Sequence, residues 1–243
     1  MQTNERARDE QYRVELSTFV QREYGITATS ILPARRGYYG ETWRMDTADG
    51  SYFLKLDYSQ EHQIKYRNSL TVVDYLSANS IDFAGSIVKT KSGGLYSLFE
   101  TAVLAIFDWI EGENNESDET KAPEYEMLSK IYAVTKPGFN IPYAIFSDEI
   151  ATDFFHRCEQ LRLSAINQEE QEVCALLEQK GDLLKHYAAR LKHCAQRCQE
   201  GPCSFYFPHG DAGGNLLVGK HACYIADWDE VMYAPPERDA WVM

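Results

Sequence analysis

The stretch FPHGDAGGNLLVGKHACYIADWDEVMYAPPERD, Phe207 to Asp239, decides how this chain is read. A His-Gly-Asp triplet opens a glycine-rich turn, and Asn215 follows it. Leu216-Leu217-Val218 and Cys223-Tyr224-Ile225 flank Gly219-Lys220, which predicts a β-hairpin. Asp227 stands at the exit of the second strand, beside Trp228. The hairpin thereby gathers three oxygen-bearing side chains, Asp211, Asn215 and Asp227, at one end. Phosphoryl transfer uses such a set. One carboxylate orients the attacking hydroxyl, while a carboxylate and an amide hold the Mg²⁺ that bridges nucleotide phosphates. The plainer alternative is a hairpin with turn-forming acids, since Asp, Asn and Gly are common in turns.

Working outward, the kinase template also needs a lysine on a strand, to hold phosphates. Lys55 fits, in the apolar run Tyr52-Phe53-Leu54-Lys55-Leu56 that follows the loop Gly37-Tyr38-Tyr39-Gly40. A buried strand lysine is costly without an anionic partner, so a phosphate explains it; a surface lysine on an edge strand is the bland reading. Around this strand the chain reads as an α+β lobe. Residues 10–24 carry Val14, Leu16, Phe19, Val20 and Tyr24 at helical spacing, with Gly25 as a stop. Residues 26–32, 42–46 and 51–57 read as strands, with turns at Arg35-Arg36-Gly37 and Asp49-Gly50. A second helix over 62–79 buries Leu70, Val72, Val73 and Leu76, and three strands follow at 87–88, 95–99 and 101–109.

Together these residues resemble the aminoglycoside phosphotransferase and choline kinase-like family, which has a protein-kinase-like fold. The segment YIADWDEVMYAPPERD most resembles the spectinomycin phosphotransferase branch. The resemblance implies a two-lobed α+β fold, with a small antiparallel-sheet lobe and a mainly helical lobe. It implies that Asp211 is the catalytic base, that Asn215 and Asp227 hold Mg²⁺, and that Lys55 holds the phosphates of ATP or GTP. Tyr39, Gly40 and Thr42 would bind the nucleotide; Tyr38, Tyr39 and Trp43 are placed to cover it, or serve simply as strand formers. Phe107 and Trp109, in the run Ala105 to Ile110, would line an adenine pocket whose backbone offers hydrogen bonds. Asp229 and Glu230, which directly follow the metal aspartate, are the candidates to meet a cationic acceptor, with a structural role the alternative for Asp229. The implied activity is phosphorylation of a small-molecule hydroxyl, with an aminocyclitol or aminoglycoside antibiotic leading the acceptors and antibiotic resistance as the role. A catalytically degenerate kinase-like binding or regulatory protein is the alternative.

Four departures from the family pattern stand out. Only Ala212, Gly213 and Gly214 separate Asp211 from Asn215, one residue fewer than in kinases. The run from Asn215 to Asp227 is also short. The helix after the lysine strand offers no glutamate where Arg67 or Ser69 stands, which leaves Glu61 as the nearest acid. The sequence ends at Met243, where family members continue with helices, so the helical surface is expected to be exposed and suited to a homodimer.

Other features have quieter readings. His209 is expected to brace the loop through a backbone hydrogen bond, and Arg238 with Asp239 to form an ion pair there. His193, Cys194, Cys198 and Cys203 hint at zinc but lack a matched second pair. The acidic run 111–122 reads as a solvated hinge between a lobe at 1–107 and a helical lobe at 123–243, with 108–122 as hinge and linker. In the helical lobe, 123–136 buries Leu128, Ile131 and Val134. A long stretch, 165–199, buries Val173, Leu177, Leu184, Tyr187 and Leu191, divided at Gly181.

The composition excludes some classes. The 243 residues hold 24 Lys plus Arg and 37 Asp plus Glu, a net charge of −13 that argues against nucleic acid as a partner. It mildly favours a cationic small molecule. No apolar run is long enough to span a membrane, and the first ten residues lack an apolar signal segment. With six cysteines and no export signal, a cytoplasmic location with reduced thiols is expected.

Overall fold

In the computed structural model, which describes residues 9–34, 38–114 and 117–240, the first helix α1 runs over Glu10–Tyr24. Asp9 caps it by accepting from the Tyr12 amide, and Gly25 ends it in the left-handed region. Its buried face is Tyr12, Leu16, Val20 and Tyr24 at four-residue spacing. Val14, expected on that face, is 55% exposed, because it lies two residues from Leu16 and so on the opposite side of the helix.

Six strands then form one antiparallel sheet. They are β1 (Ser30–Pro33), β2 (Gly40–Asp46), β3 (Ser51–Asp57), β4 (Ile87–Val88), β5 (Ser97–Phe99) and β6 (Ala102–Asp108). Their order is β1-β2-β3-β6-β4, with β5 also on β6. β2 turns into β3 at Asp49-Gly50, where the Thr47 amide donates to the Gly50 carbonyl. The turn expected at Arg35-Arg36-Gly37 lies outside the described residues.

Alternation along β3 decides what each face of the sheet carries. Leu54 and Leu56 pack on α1 with Trp43, Met45, Leu104 and Ile106. On the other face, Val103 and Ala105 pack against Tyr66 and Leu70 of α2 (Gln63–Ala78). Val72, Val73 and Leu76 of α2 continue into a larger core. That core takes Leu128 and Ile131 from α3 (Asp118–Ala133), and Phe207, Leu216, Ile225 and Trp228 from the stretch quoted above. Burial of these last residues fixes the candidate site to the sheet.

α3 starts before Pro123, where the sequence suggested its beginning, because Ser117 and Thr120 form a capping box ahead of the proline. The acidic run expected to be a solvated hinge carries a strand, β7 (Glu113–Asn114). It pairs with β8 (Leu216–Val218), which pairs with β9 (Cys223–Ile225). The Asn114 side-chain amide also donates to the Gly214 carbonyl. A short helix, α7 (Glu237–Ala240), follows.

Residues up to 143 and from 205 onward form one compact unit, and residues 144–204 form a second. The second contains α4 (Glu149–Ser164), α5 (Gln168–Gln179) and α6 (Gly181–Glu200). The division between α5 and α6 falls at Lys180, one residue before the expected Gly181, which is the first residue of α6. The stripe expected to be buried is not: Val173, Tyr187 and Leu191 are exposed. Helical period fixes which residues share a face, but it does not supply an element to cover them. Among the described residues, no helix is long and apolar enough to cross a membrane.

Candidate active site

The loop carrying Asp211 is braced from three sides. Gly210 takes φ 84°, and a Cβ there would come within 2.6 Å of the Arg238 guanidinium, so the position suits glycine alone. His209 is fully buried. Its Nδ1 accepts from the Asp211 amide at 3.2 Å, so Nε2 carries the proton and donates to the Ala226 carbonyl at 2.8 Å. Burial holds the His209 pKa below its ordinary value, which keeps the ring neutral in this bracing role. Asp239, also fully buried, accepts from the Gly210 amide (2.6 Å), the His209 amide (3.1 Å) and the Tyr132 hydroxyl (2.6 Å). The expected Arg238–Asp239 pair does not form. Asp239 is occupied by those three donors, and Arg238 lies 3.8 Å from the Glu230 carboxylate instead.

The shortened loop closes through a 3₁₀ turn at Gly213–Asn215. It sets the Asn215 amide on Asp211, donating to the backbone carbonyl at 2.6 Å and to the carboxylate at 3.1 Å. Asn215 Oδ1 is then the end of that side chain left to accept or ligate. Asp227 leaves β9 in the left-handed region, φ 64° and ψ 61°. For a residue with a side chain that conformation costs on the order of 1 kcal/mol.

Lys55 on β3 meets this turn. Its Nζ lies 2.5 Å from Asp227 Oδ1 and 2.5 Å from Asp229 Oδ2. Burial works against the ammonium, but Asp229 and Asp227 outweigh it and hold the Lys55 pKa above its usual value. For Asp227 burial is likewise outweighed, by Lys55, and its pKa is lowered. For Asp229 burial wins over Lys55, and the neighbouring Asp227 adds to it, so its pKa is raised. Glu61, the expected partner of Lys55, is exposed in the turn before α2. The residue that α2 turns toward Lys55 is Tyr66, with its ring centre 5.1 Å from Nζ.

No protein-family model matches the chain. Among solved structures, a spectinomycin phosphotransferase in complex with ADP and spectinomycin matches with a TM-score of 0.72 at 20% identity, over 93% of this chain and 71% of that one. The chain has the aminoglycoside phosphotransferase fold. An aminoglycoside phosphotransferase from Alicyclobacillus acidocaldarius shares this phosphotransferase fold at a TM-score of 0.64 and 16% identity, over 87% of this chain and 65% of that one. A choline kinase from Streptococcus pneumoniae gives 0.55 at 12% identity, over 96% and 74%. The kinase-like α+β fold expected from the sequence is the one observed.

Within this phosphotransferase fold, a cleft of about 290 Å³ brings together Tyr39, Gly40, Thr42, Lys55, Asp211, Asp227, Asp229 and Glu230. Asn215 is not in its lining and reaches the cleft through Asp211. Phe107 and Trp109 are placed elsewhere. Phe107 packs on the larger core, and Trp109 lines a separate cavity of about 480 Å³. The amides of Asp108 and Trp109 donate to the Ser86 and Ser51 carbonyls, both at 3.1 Å. The first of these bonds lies on the β4 side of β6 and the second continues the β3–β6 pairing beyond Asp108, so both amides are engaged within the protein. Asp229 is 8% exposed and held by Lys55, whereas Glu230 borders the cleft with Lys65 at 2.5 Å. Sequence reading missed Asp57 and His62, which share a short contact of 2.5 Å, and the stacking of Tyr39 on His62 at 3.8 Å. Asp57 had a signal: two residues beyond Lys55 on one strand, it shares that face. His62 had none. Cys194, Cys198 and Cys203 are free thiols, and no metal-holding cluster of His, Cys, Asp or Glu occurs among the described residues.

Proposed function

We propose that this chain transfers the γ-phosphoryl group of ATP or GTP to a hydroxyl of a small molecule, with Mg²⁺ as cofactor. The observation that carries the reading is Lys55. It reaches Asp227 across 172 residues of sequence, in a cleft that Asp211 also borders. The donor chemistry fits Mg²⁺. Asp227 is kept ionised by Lys55, and Asn215 presents its carbonyl end, so both ligands are hard oxygens. Asp227 and Asn215 would hold the metal, which would supply neutralisation of the phosphate charge. Lys55 holds the phosphates, and Tyr39, Gly40 and Thr42 cover them from β2 and the loop before it. Asp211, exposed and fixed by His209 and Asn215, orients the acceptor hydroxyl and takes its proton.

The leading acceptor is a cationic aminocyclitol or aminoglycoside of the spectinomycin kind, with Glu230 as its contact at the cleft edge. On that reading the chain is a cytoplasmic antibiotic-resistance enzyme. The structural likeness to a spectinomycin phosphotransferase supports the acceptor class. The short Asp211–Asn215 loop favours a second reading, a nucleotide-binding protein without turnover.

Labelled ATP or GTP, Mg²⁺ and a panel of aminocyclitols, aminoglycosides and choline-like amines separate the two. Transfer by the wild type should fall by about 10³-fold in Asp211→Ala with little change in thermal midpoint. Asp227→Asn should lose MgATP binding. Substantial turnover in Asp211→Ala would sink the proposal, and nucleotide binding with no transfer to any acceptor would select the second reading.

A further inference from the structure

In kinases the phosphate-holding lysine is set by a glutamate on the helix that follows its strand. Here α2 has no such group. Its one acid, Asp74, is engaged by Lys89 at 2.8 Å. The side chain it turns to Lys55 is Tyr66, whose buried hydroxyl has no hydrogen-bond partner among the described residues. We propose that Asp229, backed by the Asp57–His62 pair, is the positioning residue for Lys55, doing from the 3₁₀ turn after Asp227 what that helix glutamate does in kinases. The role given to Lys55 rests on the phosphotransferase reading above.

Two carboxylates touch Lys55, and they differ in what else they can do. The Asp227 side chain is 50% exposed and opens on the cleft, where a nucleotide and its cation would compete for it. The Asp229 side chain also lines the cleft, but it is only 11% exposed and is enclosed mostly by the protein. Asp229 therefore stays on the lysine when Asp227 turns to a ligand. A buried carboxylate needs more than one partner to hold its place. His62 supplies the second: its Nε2 lies 3.9 Å from Asp229 Oδ2 and has no hydrogen-bond partner among the described residues. The other ring nitrogen is fixed on Asp57, a fully buried residue at the end of β3 that also accepts from the Ser59 amide. Tyr39 lies flat over the His62 ring, with the planes 12° apart. A contact of 3.9 Å closes to a hydrogen bond with a shift of about 1 Å. The next residue, Glu230, ties the same turn to Lys65 of α2. Charges are thus exchanged relative to the kinase arrangement. The helix brings the basic groups, and the turn after the metal-ligand aspartate brings the acids.

The test reads Lys55 directly. In the ¹⁵N-labelled full chain, the Lys55 ammonium resonance is identified by its loss in Lys55→Met. It should persist in the wild type with and without MgATP and in Asp227→Asn, and vanish in Asp229→Asn. In transfer assays Asp229→Asn should raise KM for MgATP about tenfold, the scale of one charge-assisted hydrogen bond, and leave KM for the acceptor unchanged. Adding Tyr66→Glu to Asp229→Asn, which returns the acid to α2, should recover part of that loss. The proposal is overturned if Asp229→Asn keeps the ammonium resonance while Asp227→Asn loses it. It is also overturned if Asp229→Asn shifts the Mg²⁺ requirement as Asp227→Asn does, which would make Asp229 a metal ligand. Should Asp229→Asn not fold, His62→Gln serves: a broadened Lys55 resonance supports the proposal and an unchanged one overturns it. A wild type that binds no nucleotide sinks the phosphotransferase reading, and the resonance still decides this inference.

Discussion

Replacing Asp239 by Asn should cost this protein more than removing the Tyr132 hydroxyl that Asp239 binds. Asp239 is fully buried and accepts three hydrogen bonds, two of them from the amides of His209 and Gly210 just ahead of Asp211. An asparagine keeps one oxygen. Placed at the Oδ2 position it retains His209 and Tyr132, and the new NH₂ then points at the Gly210 N–H. The loss is one charge-assisted bond plus a buried donor without an acceptor, together about 3–5 kcal/mol. Tyr132→Phe removes only the hydroxyl, about 1.5 kcal/mol. At about 2–4 °C per kcal/mol for a chain of this length, the thermal midpoint should drop by about 6–20 °C in Asp239→Asn and about 3–6 °C in Tyr132→Phe. Urea unfolding of both variants and the double variant checks these magnitudes, and the double variant should lose less than the sum because the sites share one bond. Transfer activity should follow stability only in Asp239→Asn, whose loop geometry changes. Equal losses for the two single variants would refute the assignment of Asp239 as the brace of the catalytic loop.

Two further outcomes follow from the same geometry. A Cβ on Gly40 would sit 1.8 Å from the Leu56 carbonyl oxygen across the β2–β3 pair. Gly40→Ala should therefore prise open the strand ends beside Lys55, costing about 3 kcal/mol. It should abolish nucleotide binding, and a variant with wild-type unfolding and binding would contradict the contact. His209 is buried with its pKa lowered, so the stability it contributes is fully present above the unfolded histidine pKa of about 6.5 and is lost as pH falls toward the folded value. The stability gap between wild type and His209→Gln should accordingly shrink from about pH 7.5 to about pH 5, as measured by urea midpoints; parallel curves at both pH values would count against a neutral buried imidazole.

What the sequence disclosed was local. Asp49-Gly50 between alternating strands, the four-residue spacing in α1 and the paired apolar runs of β8 and β9 each carry their structure within a short span of chain. Lys55 was legible for a related reason, since a lone cation in an apolar strand asks for an anion. Which anion was not legible. Asp229 lies 174 positions away, and it turns inward because Trp228 is buried against the core and twists the chain into a 3₁₀ turn. Asp-Trp-Asp alone reads equally well with its second acid facing solvent. β7 hid for the opposite reason. Two residues in an acidic, polar run acquire strand geometry from the free edge of β8, and no property of Glu113 or Asn114 announces it.

Among the described residues, the charged side chains that border the cleft are acidic at Glu41, Asp57, Asp211, Asp227, Asp229 and Glu230, and basic at Lys55 alone. Such a recess works as an ion exchanger. It concentrates cations from the medium, and it rejects a bare triphosphate while admitting one whose charge a divalent ion has partly cancelled. On the proposed reading, a polyamine acceptor would displace loosely held counterions on arrival, and in doing so lower the potential that the phosphates must cross. Screening would then act in opposite senses on the two proposed partners: added salt should slow capture of the amine and ease that of the nucleotide.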